Sequence, residues 1–151
     1  MHFPRVGLLD TSQRLAHGLA QFGHESGGFR YMEEIWGPTA AQRGYEGRKD
    51  LGNTQAGDGV RFKGRGPIQV TGRANYRTYG RAIGIDLERR PDLASVPSIG
   101  LMASCAYWSA HNLNSFADRD DVEGLTRAIN GGLNGLADRK ARLIAARTLL
   151  T

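Results

Sequence analysis

Disulfide chemistry is the first thing the sequence excludes: Cys105 is the only cysteine in 151 residues, so no intramolecular bridge can staple the fold. Metal-site spacing is missing as well. The four histidines are scattered, and although His24-Glu25 opens like a His-Glu-x-x-His zinc motif, position 28 is Gly, which leaves the second ligand out. There is no Gly-Lys-Ser/Thr phosphate loop, and the next glycine a dinucleotide fingerprint needs after Gly64-Arg65-Gly66 is replaced by Gln69. No apolar run approaches the ~20 residues of a membrane span. Internal repeats and low-complexity linkers are absent too, so one unit over residues 1–151 is expected, without a separate binding domain. The N-terminal residues do not read as a basic segment followed by a long apolar one, so synthesis in the cytoplasm without a signal peptide is expected. These absences leave no cofactor, no metal and no nucleic-acid partner to expect.

What is present is glycine and positive charge. The 21 glycines follow no collagen-like triplet and imply many tight turns. Twenty Lys and Arg against fifteen Asp and Glu give a formal charge of +5, and 40% apolar residues suffice for one core. Between Arg43 and Arg90, eleven basic residues face five acidic ones. An excess centred in that way, and made mostly of Arg, suits an anionic polymer or an anionic wall or outer-membrane surface as partner.

Hydrophobic spacing predicts a mainly α fold. A helix is expected from about residue 12 to 25, capped by Thr11 or Ser12, with Leu15, Leu19 and Phe22 on its inner face. Further helices are expected at about 74–83, 98–111, 122–129 and 138–150. In the second of these, Ile99, Met102, Ala103, Ala106 and Tyr107 face inward, and Cys105 reads as a core thiol. Residues 37–67 are rich in turn dipeptides. The alternating segments 60–63 and 68–71 predict a small β-ribbon beside a cleft.

Two acidic residues invite a chemical reading. Glu25 is followed by Ser26-Gly27-Gly28-Phe29, and Glu34 lies nine residues on. On one continuous helix, nine steps of about 100° would point the two carboxylates to opposite sides. The glycine pair breaks the helix, which lets the chain double back and face one carboxylate toward the other. Paired carboxylates across a cleft are what glycosidic-bond hydrolysis needs. Glu33 adjoins Glu34 and is the alternative second carboxylate.

Three segments in order, His24-Glu25-Ser26-Gly27-Gly28-Phe29, then Gly64-Arg65-Gly66-Pro67-Ile68-Gln69-Val70-Thr71-Gly72, then Ile129-Asn130-Gly131-Gly132-Leu133, resemble family 19 of the glycoside hydrolases, most closely its short phage and prophage endolysin branch. The resemblance runs from about residue 12 to the end and implies a lysozyme-like helical fold. It implies an inverting hydrolase of β-1,4-linked N-acetylhexosamine polymers, with Glu25 as general acid, Glu34 as general base and Thr71 holding the water. It further implies that Gln69, Asn75, Tyr76, Asn130 and Arg139 line the sugar site, with Tyr31 and Trp36 as stacking aromatics.

Two departures favour bacterial peptidoglycan over chitin as the expected substrate. Ala74 stands where chitinase-like members carry an aromatic residue, and the cysteines of plant members are absent. The resemblance therefore implies an endolysin-type monomer that reaches the cell wall after the membrane is permeabilised, with chitinase activity as the alternative. From a different class, Arg139, Lys140, Arg142 and Arg147 beside Leu143, Ile144 and Leu150 make the last helix basic and amphipathic, as in a membrane-active module.

Overall fold

The computed structural model describes residues 7–151. Its helices are α1 Ser12–Glu25, α2 Ala40–Arg43, α3 Asp58–Arg61, α4 Arg73–Ile83, α5 Pro97–Ala110, α6 Asn114–Asp118, α7 Val122–Asn130 and α8 Leu136–Leu149, with 3-10 turns at Lys49–Leu51 and Pro91–Ser95. The expected long helices are all present, each within two residues of its predicted ends. Thr11 caps α1 by accepting a hydrogen bond from the Arg14 amide at 3.1 Å, and Asp121 caps α7 through the Gly124 amide at 2.8 Å, which satisfies amide donors the helices leave open.

The main core is built where α4 and α5 meet the end of α1. Phe22, Phe62, Tyr76, Leu87, Trp108, Leu113 and Leu125 are all buried in it. Phe22 meets Trp108 edge to face at 5.6 Å, and Phe62 meets Tyr76 in the same way at 5.4 Å. A smaller cluster of Ala16, Ala20, Leu143 and Ala146 joins α1 to α8. Alanines let those two helices approach closely, which matters because each carries part of the acidic site.

Two expectations need correction. Leu19 does not face inward but is partly exposed, and α1 instead buries Ala16, His17, Ala20, Gln21 and Phe22. The β-ribbon shrinks to two isolated bridges, Glu33 with Arg65 and Arg65 with Val70. Val60 and Arg61 belong to α3 instead. That helix forms because the Glu46 carboxylate accepts from the amides of Gly57 at 2.7 Å and Gly59 at 2.8 Å, a charged cap at a helix N-terminus. Buried Asp58 then pairs with Arg73 at 2.6 Å and ties α3 to α4. A cap eleven residues upstream is invisible to local alternation.

Candidate active site

Glu25 is the last residue of α1. Beyond it the chain reverses through Gly27, Gly28 and Phe29, three successive residues of positive φ at 59°, 76° and 63°. The buried Ser26 pins this turn, its hydroxyl donating to Phe22 O at 2.6 Å and accepting from the Phe29 amide at 2.8 Å. The reversal brings Glu34 onto the same cavity as Glu25. Glu25, Tyr31, Glu33, Glu34, Ile35 and Gln69 line this hollow of about 250 Å³. A larger hollow of about 360 Å³, between α4 and residues 84–88, is lined by Arg77, Arg81, Asp86 and Glu88 and holds neither member of the pair.

The two carboxylates are seated by different chemistry. Glu25 Oε1 accepts from Arg139 Nη2, and among the described residues its other oxygen has no protein donor. Arg139 is fully buried; its Nη1 donates to Gln21 Oε1 and its Nε to Asn134 O. Alongside, His24 Nδ1 meets Asp138 Oδ2 at 2.7 Å, and Arg142 Nε donates to that same oxygen at 2.6 Å. Those contacts, first the Arg142 bond and then that of His24, hold the Asp138 carboxyl below its ordinary range. They clasp the start of α8 to the end of α1.

Glu34 is held by neutral donors instead. Gln42 Nε2 donates to Oε1 at 3.0 Å, the Tyr45 hydroxyl to the same oxygen at 3.3 Å, and the Gly64 amide to Oε2 at 3.0 Å. Burial, with the Glu34 charge beside it, pushes the Tyr45 hydroxyl above its ordinary value and keeps it a donor. The Glu34 amide in turn donates to Gly64 O at 2.8 Å. A Cβ on Gly64 would stand 2.6 Å from Gln69 Oε1 and 3.3 Å from both Glu34 Oε2 and Thr71 Oγ1. Glu34, Gln69 and Thr71 therefore converge over a bare glycine. The Thr71 hydroxyl donates to Gln69 O at 2.9 Å, which leaves the lone pairs of its oxygen to accept from a further donor.

Glu33 has a different place. Its Oε1 accepts from Arg65 Nε at 2.9 Å and lies 3.1 Å from Lys63 Nζ. Desolvation raises its pKa, but the Lys63 bond and the charges of Arg65 and Lys63 outweigh that and leave the group below its ordinary value. It is an ion-paired carboxylate on the cavity wall.

Other expected contacts are relocated. Tyr76 cannot stack on a sugar, because its ring is fully buried and its hydroxyl donates to Lys63 O at 2.6 Å while accepting from Arg65 Nη1 at 3.0 Å. Arg139 likewise supports Glu25 from inside the core rather than meeting solvent. Asn75 donates its side-chain amide to Thr71 O at 2.8 Å. Trp36 packs against Tyr45 with ring centroids 6.2 Å apart, whereas Tyr31 is exposed on the cavity lining. Asn130 is exposed at the end of α7, outside the cavity lining.

Sequence reading missed Gln21, Gln42 and Tyr45. Gln21 lies one helical turn before Glu25, a spacing that could have signalled it. Gln42 carried only the weaker signal of a Thr39-x-x-Gln42 capping box, which is formed. Tyr45 carried none.

Comparison with known proteins shows the family. The family model described as class I chitinase, of glycoside hydrolase family 19, matches residues 7–136. A family 19 domain-containing protein of Haemophilus influenzae is 35% identical, over 89% of this chain and 78% of that protein. An endochitinase of Arabidopsis thaliana is 37% identical over 85% of this chain but only 47% of its own length, so the chain spans about half of that plant relative. A bacterial family 19 chitinase of known structure superposes with a TM-score of 0.71 at 26% identity, covering 92% of this chain and 74% of that one. With the match spanning nearly the whole chain and carrying both carboxylates, the chain belongs to glycoside hydrolase family 19.

Proposed function

We propose that this hydrolase cuts β-1,4 bonds in the glycan strands of bacterial peptidoglycan with inversion at the anomeric carbon, as an endolysin-type enzyme working as a single catalytic unit and a monomer. The observation that carries this reading is the placement of Glu25 and Glu34 on one cavity in unlike seats. Arg139 fixes Glu25 by one oxygen, which leaves the other to hold a proton and deliver it to the leaving glycosidic oxygen. Glu34 Oε2 and Thr71 Oγ1 flank the space over Gly64, where a water would be deprotonated for attack on the opposite face of the sugar. Gln69 Oε1 offers an acceptor at the same place for the polar groups of the sugar, while its Nε2 donates to Gly66 O at 3.0 Å.

The choice of peptidoglycan rests on charge. Six of the eleven cations between Arg43 and Arg90 are spent on carboxylate pairs: Arg48, Lys63, Arg65, Arg73, Arg77 and Arg90. Arg43, Lys49, Arg61, Arg81 and Arg89 are exposed and have no carboxylate partner among the described residues. They favour a polymer with carboxylate-bearing peptide stems over neutral chitin, and they steer it by long-range attraction. On this reading the protein is made in the cytoplasm and meets the wall once the membrane is opened. The membrane-active alternative is disfavoured, because Lys140 pairs with Glu123, Arg142 with Asp138 and Arg147 with Asp120, so the cations of α8 are largely neutralised. The second reading, chitinase activity, is favoured by the relatives named as chitinases.

Mass spectrometry of purified sacculi digested by the protein, beside chito-oligosaccharides of defined length, decides between them. Muropeptides with free reducing ends, α in the first-formed anomer by NMR, are expected. Anhydro ends would refute hydrolysis, and cleavage of chito-oligosaccharides alone would establish the chitin reading. Glu25→Gln and Glu34→Gln must each abolish the products.

A further inference from the structure

The segment between Gly37 and Asp50 is almost entirely exposed, yet it contains the four-residue helix α2, whose single buried residue is polar: Gln42. Every hydrogen-bonding group of its amide is used. Oε1 accepts from the amides of Gly37 at 3.0 Å and Thr39 at 2.7 Å. Nε2 donates to Ile35 O at 2.8 Å and to Glu34 Oε1 at 3.0 Å. A buried side-chain amide satisfied on both ends has one allowed orientation, since flipping it would set carbonyl against carboxylate.

We propose that Gln42 is the positioning residue of the second carboxylate: its amide, locked by α2, fixes the rotation of Glu34 so that Oε2 and not Oε1 is the oxygen that takes the proton from water. This rests on the reading of Glu34 as general base. Oε1 receives two side-chain donors, from Gln42 and Tyr45, which occupy it. Oε2 receives only the Gly64 amide and lies on the side of Thr71. Without the grip on Oε1 the carboxylate is free to rotate, and the oxygen facing the water loses its alignment. In catalysis that misplacement lowers kcat more than it weakens substrate binding, because Gln42 is buried and stands off the cavity lining.

The test uses Gln42→Glu, an isosteric change. The new carboxylate still accepts from the Gly37 and Thr39 amides, which hold α2, but it turns an oxygen rather than a donor toward Glu34 and Ile35 O. Like charges in contact make the pair harder to ionise. The acid limb of the pH profile of kcat/KM therefore moves upward, by about one pH unit or more, and kcat below neutrality falls at least about tenfold, while KM for a soluble oligosaccharide stays within about twofold. The other titratable groups near Glu34, namely Tyr45, Glu33 with its partners Lys63 and Arg65, and Glu25, are unchanged in this variant. Thr39→Val serves as control: it removes the hydroxyl that caps α2 at 3.2 Å and leaves the Gln42 amide in place. It is expected to lower the melting temperature without moving the acid limb.

If Gln42→Glu leaves the acid limb in place, or if Thr39→Val moves it equally, the positioning role is overturned. Glu34→Gln, assayed alongside, separates the two levels. Residual wild-type activity there would remove the role of Glu34 itself. An inactive Glu34→Gln with an unmoved profile in Gln42→Glu would remove only that of Gln42.

Discussion

Gly64→Ala is the sharpest test of the site, because it adds one methyl group where the water is expected. Gly64 is not among the glycines of positive φ, so alanine introduces no backbone strain, and it also narrows the unfolded ensemble by about 0.4–1 kcal/mol. The new Cβ would stand 2.6 Å from Gln69 Oε1, the end of a flexible side chain, and 3.3 Å from Glu34 Oε2 and Thr71 Oγ1. Gln69 can swing away at small cost, whereas the carboxylate is held by three donors. Stability is therefore expected to change by less than about 1 kcal/mol, with the relief of entropy and the crowding roughly cancelling. Activity follows a different rule. The methyl group occupies the space between base and hydroxyl, and loss of an oriented nucleophile is expected to cost about a hundredfold in kcat, or ~2.7 kcal/mol of barrier. Thermal unfolding and initial rates on a soluble oligosaccharide measure both quantities on one preparation. A stable Gly64→Ala protein that keeps more than half of the wild-type kcat would refute the placement of the water and with it the assignment of Glu34 and Thr71.

Three further outcomes follow from the buried polar groups. Arg139→Met strips a fully buried cation from Glu25, Gln21 and Asn134 and is expected to destabilise by about 3 kcal/mol, lowering Tm by roughly 6–12 °C, whereas Glu25→Gln keeps an oxygen acceptor but takes away the counter-charge of Arg139, and is expected to abolish activity with a smaller loss of Tm. Tyr76→Phe, which removes one acceptor of Arg65 Nη1 and the donor to Lys63 O within the core, is expected to cost about 1–3 kcal/mol in denaturant unfolding and to leave KM unchanged; a selective rise in KM would return Tyr76 to the sugar site. His17 is buried against Asp120 with Nδ1 unpartnered, and desolvation, outweighing the pull of Asp120, holds its pKa below 6.5. The unfolded chain then binds the extra proton first, so stability falls as the pH drops below about 6.5; His17→Gln is expected to flatten that slope in melting scans between pH 7 and 5.

How far the sequence carried this description depended on the distance between partners. Periodicity and caps located the long helices, because their signals lie within three or four residues of one another: Thr11 with Arg14, Asp121 with Gly124. The same locality made the glycine pair after Glu25 readable as a reversal. It failed where a helix depends on a remote partner. Alternation in residues 60–63 looked like a strand, but Glu46 and Arg73, 13 and 15 residues from the groups they meet at Gly59 and Asp58, fold it into α3. Burial was misjudged for a related reason. Leu19 is apolar and exposed, while Gln21, Gln42 and Arg139 are polar and buried, since a buried polar group is favourable once its hydrogen bonds are complete. Residue type alone contains no record of that completion. The meeting of the two carboxylates on one cavity was therefore legible, and the groups that hold them there were not. Arg139 is 114 residues from Glu25 and Gln42 eight from Glu34, and each donates to one oxygen of its partner. On the proposed reading, the Glu pair marks the place of catalysis, and the direction of proton flow is set by the unlike donors around each carboxylate: a buried cation at Glu25 and neutral groups at Glu34.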